Sequence, residues 1–262
     1  MSIWEKFSAT VCAEGNLQIM WLGQAGFLFK NSKQKVLAVD IYLSDLAMKK
    51  DGNKRLTPAV ISKEELKADI VLASHSHTDH LDLDSLPEIL KGETKIYCSE
   101  SCVELCLQSD IPAEKIQIMK EGKEIEDAGY KVRAVFADHG DTDLDAVGFL
   151  IESEGIRIYF TGDTSYQSER MKKAFKEKVH ILIAPINGEY GNMNECDTAM
   201  LAKQSGADLT IPCHFWTFSR HQGNPYLFET AMRMTAPEQT AYVMAQGEIL
   251  EWDNKKKNVF FN

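Results

Sequence analysis

Short runs of β-branched and aromatic residues recur along the chain and predict strands. The first three runs lie close together, and Asn31 with Ser32 predicts a turn between two of them. Later runs are separated by segments with the apolar spacing of helices, so we expect mixed sheets. The predicted strands cover residues 17–21, 26–30, 35–41, 70–74, 95–98, 130–137, 146–152, 156–161, 179–186, 209–213 and 240–243.

Capping patterns predict where two of the helices begin. Ser62 with Glu65 forms a capping-box pattern that predicts a short helix, and Asn194 with Asp197 is a weaker form that predicts a longer helix ending at Gly206. Further helices are expected over residues 83–91, 100–108, 167–177 and 225–234. Sheets with helices on either side predict a layered α/β sandwich.

The composition is that of a globular protein. Of the 262 residues, 44% are hydrophobic and 26% are charged, which excludes disordered, collagen-like and membrane-spanning classes and favours one domain over residues 1–262. Because the net charge is −10, we expect neither a nucleic-acid partner nor a membrane partner. Six cysteines are too few for a disulfide scaffold, and the N-terminus lacks the apolar run of a signal peptide. We therefore expect a reduced, cytoplasmic protein.

Residues 75–80 carry the clearest chemical pattern. The apolar run 70–74 leads into His75, His77, Asp79 and His80, which lie within six residues of one another. These donors follow the end of a strand, where α/β folds place their sites. Imidazoles and carboxylates suit zinc, manganese or iron, so the segment predicts a metal site.

Three further donors each follow a predicted strand. They are His139, Asp163 and His214. A single histidine at a strand end is more often structural than a ligand, but the repeated placement favours a shared metal centre.

This set of residues resembles the metallo-β-lactamase superfamily. Its HxHxDH signature is similar to residues 75–80, and His139, Asp163 and His214 follow in the family's order. The resemblance implies a four-layer αββα sandwich with mixed sheets and a site for two divalent ions, zinc or manganese. It implies that one ion is held by His75, His77 and His139, that the other is held by Asp79, His80 and His214, and that Asp163 bridges them. Asp40 matches a buried aspartate that supports the ligands.

A second set of motifs is similar to the L-ascorbate-6-phosphate lactonase group within this superfamily. The motifs lie at residues 40–45, 55–58, 185–188, 192–194, 212–215 and 223–225. The likeness implies a hydrolase that acts on a small, phosphorylated lactone or ester. A hydroxide between the two ions would be the nucleophile. Asp163 would hold the ion pair, and proton transfer to the leaving group would fall to Asp79 or to a metal-bound water.

Other polar residues are weaker candidates. The predicted substrate-binding set is Arg55, Asn187, Asn192, Arg220 and His221. For the two arginines and His221 a solvated role is the simpler interpretation, whereas the two asparagines could equally cap the following helix or offer its N-terminus to an anion. Residues 23–26 are interpreted as a tight turn, because no helix follows to make a phosphate cradle. The cysteines at 98, 102, 106 and 213 are predicted to be buried thiols rather than ligands.

Two alternatives to the lactonase hypothesis stay open at this point. A phosphodiesterase could use the same two-metal site, and a metal-dependent binding module could keep the site without turnover. We expect a small anionic molecule as the partner in either enzyme, and a homo-oligomer is compatible with the sequence. Fold alone does not decide among these functions.

Overall fold

The computed structural model describes residues 1–261 and contains two mixed sheets. The first sheet has the strand order β15-β14-β1-β2-β3-β4-β5-β6. Both ends of the chain meet in it, because β14 pairs antiparallel with β1. Its strands are β1 (Asn16–Gly23), β2 (Gly26–Lys30), β3 (Val36–Val39), β4 (Ile70–Ala73), β5 (Lys95–Cys98), β6 (Ile116–Ile118), β14 (Ile249–Asp253) and β15 (Asn258–Phe261).

The second sheet has the order β13-β12-β11-β10-β9-β8-β7. β10, β11 and β12 run parallel, and β9 is antiparallel to both of its neighbours, so β8 runs in the same direction as β10. Its strands are β7 (Glu124–Asp127), β8 (Tyr130–Phe136), β9 (Val147–Ser153), β10 (Ile156–Phe160), β11 (Ile181–Pro185), β12 (Leu209–Cys213) and β13 (Thr240–Ala241).

Helices cover the outer faces of the two sheets. The α6 helix is capped at its start by the Asn194 side chain and ends at Gly206, whose φ of 64° suits glycine. The α-helices are α1 (Ile3–Ala9), α2 (Leu46–Asp51), α3 (Leu86–Ile89), α4 (Glu100–Gln108), α5 (Ser168–Met171), α6 (Glu195–Ser205) and α7 (Pro225–Thr235). No helix within residues 1–261 has the length and apolar character needed to cross a membrane.

Successive side chains of a strand point to opposite faces of the sheet, so the first sheet contributes to two apolar layers. In β4, Ile70 and Leu72 face the second sheet, whereas Val71 and Ala73 face the layer beneath α1, α3 and α4. The layer between the sheets also contains Phe27, Phe149 and many other fully buried side chains. The four-layer αββα sandwich with mixed sheets is therefore confirmed. Asn262, the last residue of the domain predicted over 1–262, lies outside the described residues.

Several predicted elements differ in extent from those observed. Ser62 and Glu65 do form both capping hydrogen bonds, but the segment stays a single turn. The reason is that Asp69 binds Val36 through both its backbone and its side chain, which directs the chain into β4. The helices predicted at 83–91 and 167–177 shorten to α3 and to α5 followed by a 3-10 turn at Lys172–Phe175.

Six elements were not predicted from the pattern, namely α1, α2, β6, β7, β14 and β15. The β7 strand, for example, has the sequence Glu-Ile-Glu-Asp and lies at a sheet edge. Charged residues are common on edge strands because they discourage pairing with other chains. A strand with one apolar residue among three acidic ones does not show the apolar run that predicts the other strands.

Candidate metal centre

Strand ends from both sheets converge at one edge of the sandwich. β4 of the first sheet leads into His75, while β8, β10 and β12 of the second sheet lead into His139, Asp163 and His214. Because β8, β10 and β12 point in the same direction, the donors that follow them reach the same edge. The rigid sheets thus hold donors from four separate segments close together.

The first group of donors comprises His75, His77 and His139. His75 Nε2 lies 3.1 Å from His77 Nδ1, and His139 Nε2 lies 3.2 Å from that same nitrogen. The ligand atoms of the three rings all lie within 4.8 Å of one another. This is the set that the family resemblance assigned to one ion.

The second group centres on Asp163. Its Oδ2 atom is 3.0 Å from His214 Nε2 and 3.4 Å from His80 Nε2, and it also lies 3.9 Å from His139 Nε2. Asp79 Oδ2 adds a further oxygen at 3.5 Å from His214 Nε2. Asp163 therefore lies between the two groups, as a bridging carboxylate would.

The donor chemistry of this centre fits divalent cations. Nitrogens of His75 and His139 both face His77 Nδ1, at 3.1 and 3.2 Å, so ring nitrogens from three side chains meet where a cation could bind them. Asp163 Oδ1 is buried and has no hydrogen-bond partner among the described residues. A buried carboxylate oxygen without a partner is costly, and a cation would satisfy it. The residues present therefore match the borderline ligand set of zinc or manganese.

Burial and charge together perturb the pKa values of the donors. Burial opposes the charged form of His80, but Asp163, Asp79 and Asp40 outweigh it and hold the pKa of His80 well above its usual range. The same competition between burial and Asp163 raises the pKa of His214 to about 9. For His75, burial and the neighbouring His80 hold the pKa well below its usual range. Without metal, His80 and His214 beside Asp163 therefore favour their protonated forms.

Asp40 supports this centre from below. It is fully buried, and its Oδ1 accepts from the Ser74 backbone at 2.7 Å. Its Oδ2 accepts from Ser74 Oγ at 2.6 Å and lies 2.7 Å from His80 Nδ1. Because the other His80 nitrogen faces Asp163, this contact orients the ring toward the second group.

The donors lie beside a cleft of about 520 Å³, which is the expected substrate space. Of the predicted substrate-binding residues, Arg220 and His221 line it. The other lining residues are Asp51, Asn53, Ser76, His77, Thr78, Asp79, His139, Asp163, Tyr190 and His214. Burial, followed by the charge of His214, lowers the pKa of His221 to about 4, so this ring is neutral near pH 7.

The remaining predicted substrate-binding residues do not line this cleft. Arg55 stacks on Tyr42, with its guanidinium carbon 4.0 Å from the ring centre, and its Nε donates to the Ser44 carbonyl. Asn187 accepts from Asn192, and Asn192 donates to Asp163 Oδ2 at 2.8 Å. Arg55 therefore braces a loop, and the asparagine pair supports a metal donor.

Gln24 is a residue of the centre that no sequence motif reveals. Its amide nitrogen lies 2.7 Å from Asp79 Oδ2 and 3.0 Å from His214 Nε2. Residues 23–26 form the expected turn between β1 and β2. The turn explains the two glycines but does not indicate a role for the Gln24 side chain. The only signal in the sequence is a polar side chain inside the turn Gly23-Gln-Ala-Gly26, where the structure gives Gln24 a positive φ of 52°.

The four cysteines predicted to be buried lie in the core. Cys98, Cys102 and Cys106 pack beneath the first sheet, and Cys213 packs between the sheets. None of them belongs to a group of three or more possible metal donors within the described part of the chain. The thiols therefore contribute packing.

A sandwich of two mixed sheets with a histidine and aspartate centre at one edge defines the metallo-β-lactamase class of metal-dependent hydrolases. The family described as "Beta-lactamase superfamily domain" matches residues 18–214, which is more than half of the chain. The chain belongs to this family, which confirms the resemblance seen in its sequence.

Individual relatives support the same assignment. The chain is 26% identical to a UPF0173 metal-dependent hydrolase of Archaeoglobus fulgidus, over 90% of this chain and 100% of the relative. It is 23% identical to "Probable L-ascorbate-6-phosphate lactonase UlaG" of Salmonella paratyphi B, over 84% of this chain and 75% of the relative. The metallo-β-lactamase fold protein YhfI of Bacillus subtilis has a TM-score of 0.68 at 18% identity, over 90% of this chain and 99% of that chain. The protein is a metal-dependent hydrolase of the β-lactamase superfamily.

Proposed function

We propose that the protein hydrolyses a small phosphorylated lactone or carboxylic ester with two divalent ions, zinc or manganese. The observation that carries this proposal is the cleft, where the Arg220 guanidinium lies in the same space of about 520 Å³ as donors of both groups. When bound, the ions would polarise the substrate and lower the pKa of a water, so that hydroxide is available as the nucleophile near neutral pH. The lactonase named among the relatives supports the choice of substrate.

The side chains divide the remaining tasks. His75, His77 and His139 would hold one ion, Asp79, His80 and His214 the other, and Asp163 both. Asp79 also faces the cleft, so either Asp79 or a water molecule would pass a proton to the leaving group. Arg220 would bind the phosphate, because its planar fork matches two phosphate oxygens.

A substrate screen tests this function directly. Phosphorylated sugar lactones, carboxylic esters and phosphodiesters would each be offered to protein loaded separately with manganese and with zinc. Turnover of lactones or esters supports the proposal. Turnover of phosphodiesters alone would replace it with phosphodiesterase activity, and metal binding without any turnover would favour a binding module.

Adding metal to the metal-free protein at pH 7 should give two ions per chain and should release protons. The reason is that His80 and His214, with their raised pKa values, carry protons that a cation must displace. Isothermal titration in two buffers of different ionisation enthalpy measures both quantities. A stoichiometry near zero, or heats that do not depend on the buffer, would contradict this expectation.

Removing the Arg220 guanidinium should weaken binding of phosphorylated substrates only. Charge-assisted hydrogen bonds contribute about 1.5–3 kcal/mol, so Arg220→Ala should raise KM about 10- to 100-fold for a phosphorylated substrate and leave its unphosphorylated analogue unchanged. Arg233→Ala, on the exposed end of α7, is the matched control and should change neither KM. Equal effects of Arg220→Ala on both substrates would indicate that Arg220 only braces its loop.

A further inference from the structure

Gln24 makes its closest contacts with two residues that line the cleft. Its Nε2 lies 2.6 Å from His221 Nδ1 and 2.7 Å from Asp79 Oδ2, whereas the contact with His214 Nε2 is longer, 3.0 Å. A primary amide nitrogen carries two hydrogens. The two shortest contacts therefore use both of them, and Gln24 donates to His221 and to Asp79.

The Asp79 carboxylate fixes which way the amide faces. An ionised carboxylate only accepts hydrogen bonds, so the opposite orientation would place two acceptor oxygens against each other. In the observed orientation Gln24 Oε1 is buried and has no partner among residues 1–261. The amide therefore keeps its nitrogen toward Asp79 and His221 even though its oxygen is left unsatisfied.

The backbone of Gln24 is held as firmly as its side chain. Its N–H donates to Thr217 Oγ1 at 2.9 Å, and its carbonyl accepts from the His214 backbone at 2.9 Å and from Trp21 Nε1 at 3.1 Å. The residue is only 1% exposed. These contacts hold the amide in one place relative to the loop that carries His214 and His221.

A nitrogen that accepts a hydrogen bond leaves the hydrogen of a neutral imidazole on the other nitrogen. For His221, acceptance at Nδ1 places the hydrogen on Nε2. The centre of the His221 ring lies 4.6 Å from the centre of the His214 ring and 5.1 Å from that of Phe218. His221 also lines the cleft. Its Nε2 makes no hydrogen bond within the part of the chain that the structure describes.

We propose that Gln24 is a positioning residue that fixes His221 in the tautomer with its hydrogen on Nε2, and that this N–H donates to the substrate. The inference rests on the proposed hydrolase function and identifies a donor for it. Attack on a lactone or ester carbonyl moves negative charge onto the carbonyl oxygen. A neutral, preorganised N–H beside the metal donors would stabilise that oxygen.

Nitrogen NMR of the metal-free protein tests the tautomer without any turnover. Long-range ¹H–¹⁵N correlation spectra report which ring nitrogen carries the hydrogen, and His221→Gln identifies the signals of His221 by their loss. We expect the hydrogen on Nε2 in the native protein. Gln24→Glu replaces the donor with an acceptor, so the hydrogen should move to Nδ1. A native His221 with its hydrogen on Nδ1 would overturn the proposal.

Kinetics of the metal-loaded protein test the donor role. Gln24→Glu and Gln24→Met should both lower kcat about 10- to 100-fold, the range typical of residues that orient a site, with a smaller change in KM. Metal content is measured in parallel. The matched control is Gln204→Glu on α6, where the amide contacts Tyr166 and Ser168, and it should change neither kcat nor the His221 signals.

The remaining outcomes are also decisive. A folded Gln24→Glu that keeps the native tautomer, or one that switches tautomer at full kcat, would overturn the role given to Gln24. If Gln24→Glu does not fold, Gln24→Met should show His221 without a single preferred tautomer. If the native protein hydrolyses no lactone or ester, the proposed function fails, while the spectrum of the metal-free protein still decides whether Gln24 sets the tautomer.

Discussion

Asp163→Asn should abolish turnover while leaving a folded protein. Asp163 Oδ2 faces donors of both groups, at 3.0 Å from His214, 3.4 Å from His80 and 3.9 Å from His139. An asparagine keeps the size of the side chain but loses the negative charge that offsets two cations, and its amide cannot bridge them. We expect activity roughly 1,000-fold lower or lower still, at or beyond the upper end of the loss caused by removing one catalytic electrostatic group, because the two ions would no longer be held together.

This expectation is checked by steady-state kinetics together with elemental analysis and circular dichroism. The control is Asp110→Asn, an exposed aspartate that follows α4, which should keep full activity. Activity of Asp163→Asn within about tenfold of the native protein would contradict the bridging role.

Asp40→Ala should cause the largest loss of stability among single substitutions at the centre. The carboxylate contacts the Ser74 backbone, Ser74 Oγ and His80 Nδ1, and all of these groups are buried. Alanine would leave the Ser74 N–H and His80 Nδ1 without an acceptor, while Ser74 Oγ keeps its contact with His75 Nδ1. Breaking a buried charged pair of this kind costs about 3–5 kcal/mol in the free energy of unfolding.

Urea denaturation of the metal-free protein measures this loss. Asp84→Ala removes the partner of Lys49 in an ion pair that is largely exposed, so it should cost less than about 1 kcal/mol. A similar small cost for Asp40→Ala would mean that water replaces the carboxylate. Metal binding by Asp40→Ala should also weaken, because His80 would lose the contact that orients its ring.

The metal donors could be predicted because they lie next to clear strand patterns. The apolar run before His75 and the runs before His139, Asp163 and His214 are buried β4, β8, β10 and β12. The local pattern places each donor at the end of a strand. Their grouping at one edge came from the family resemblance, because it depends on strand directions that are set by pairing between distant segments.

Roles that depend on contacts between distant segments could not be predicted. Gln24 meets His214 across 190 residues of sequence, and nothing local to its turn reveals the partner. Arg55 is predicted to bind substrate, but its guanidinium stacks on the Tyr42 ring and does not line the cleft beside the metal donors. In both cases tertiary packing determines the role of a polar loop residue.

The pairing of β14 with β1 has a consequence for how the protein is made. During synthesis β1 emerges long before residues 249–253, which cover one of its edges, since the hydrogen-bonded residues Asn16 and Glu251 are separated by 235 positions. Until then the growing chain carries an uncovered strand edge, which can pair with other chains. The first sheet can therefore be completed only after residues 249–253 have been made, and until then β1 is the strand of this sheet whose edge waits longest for its partner.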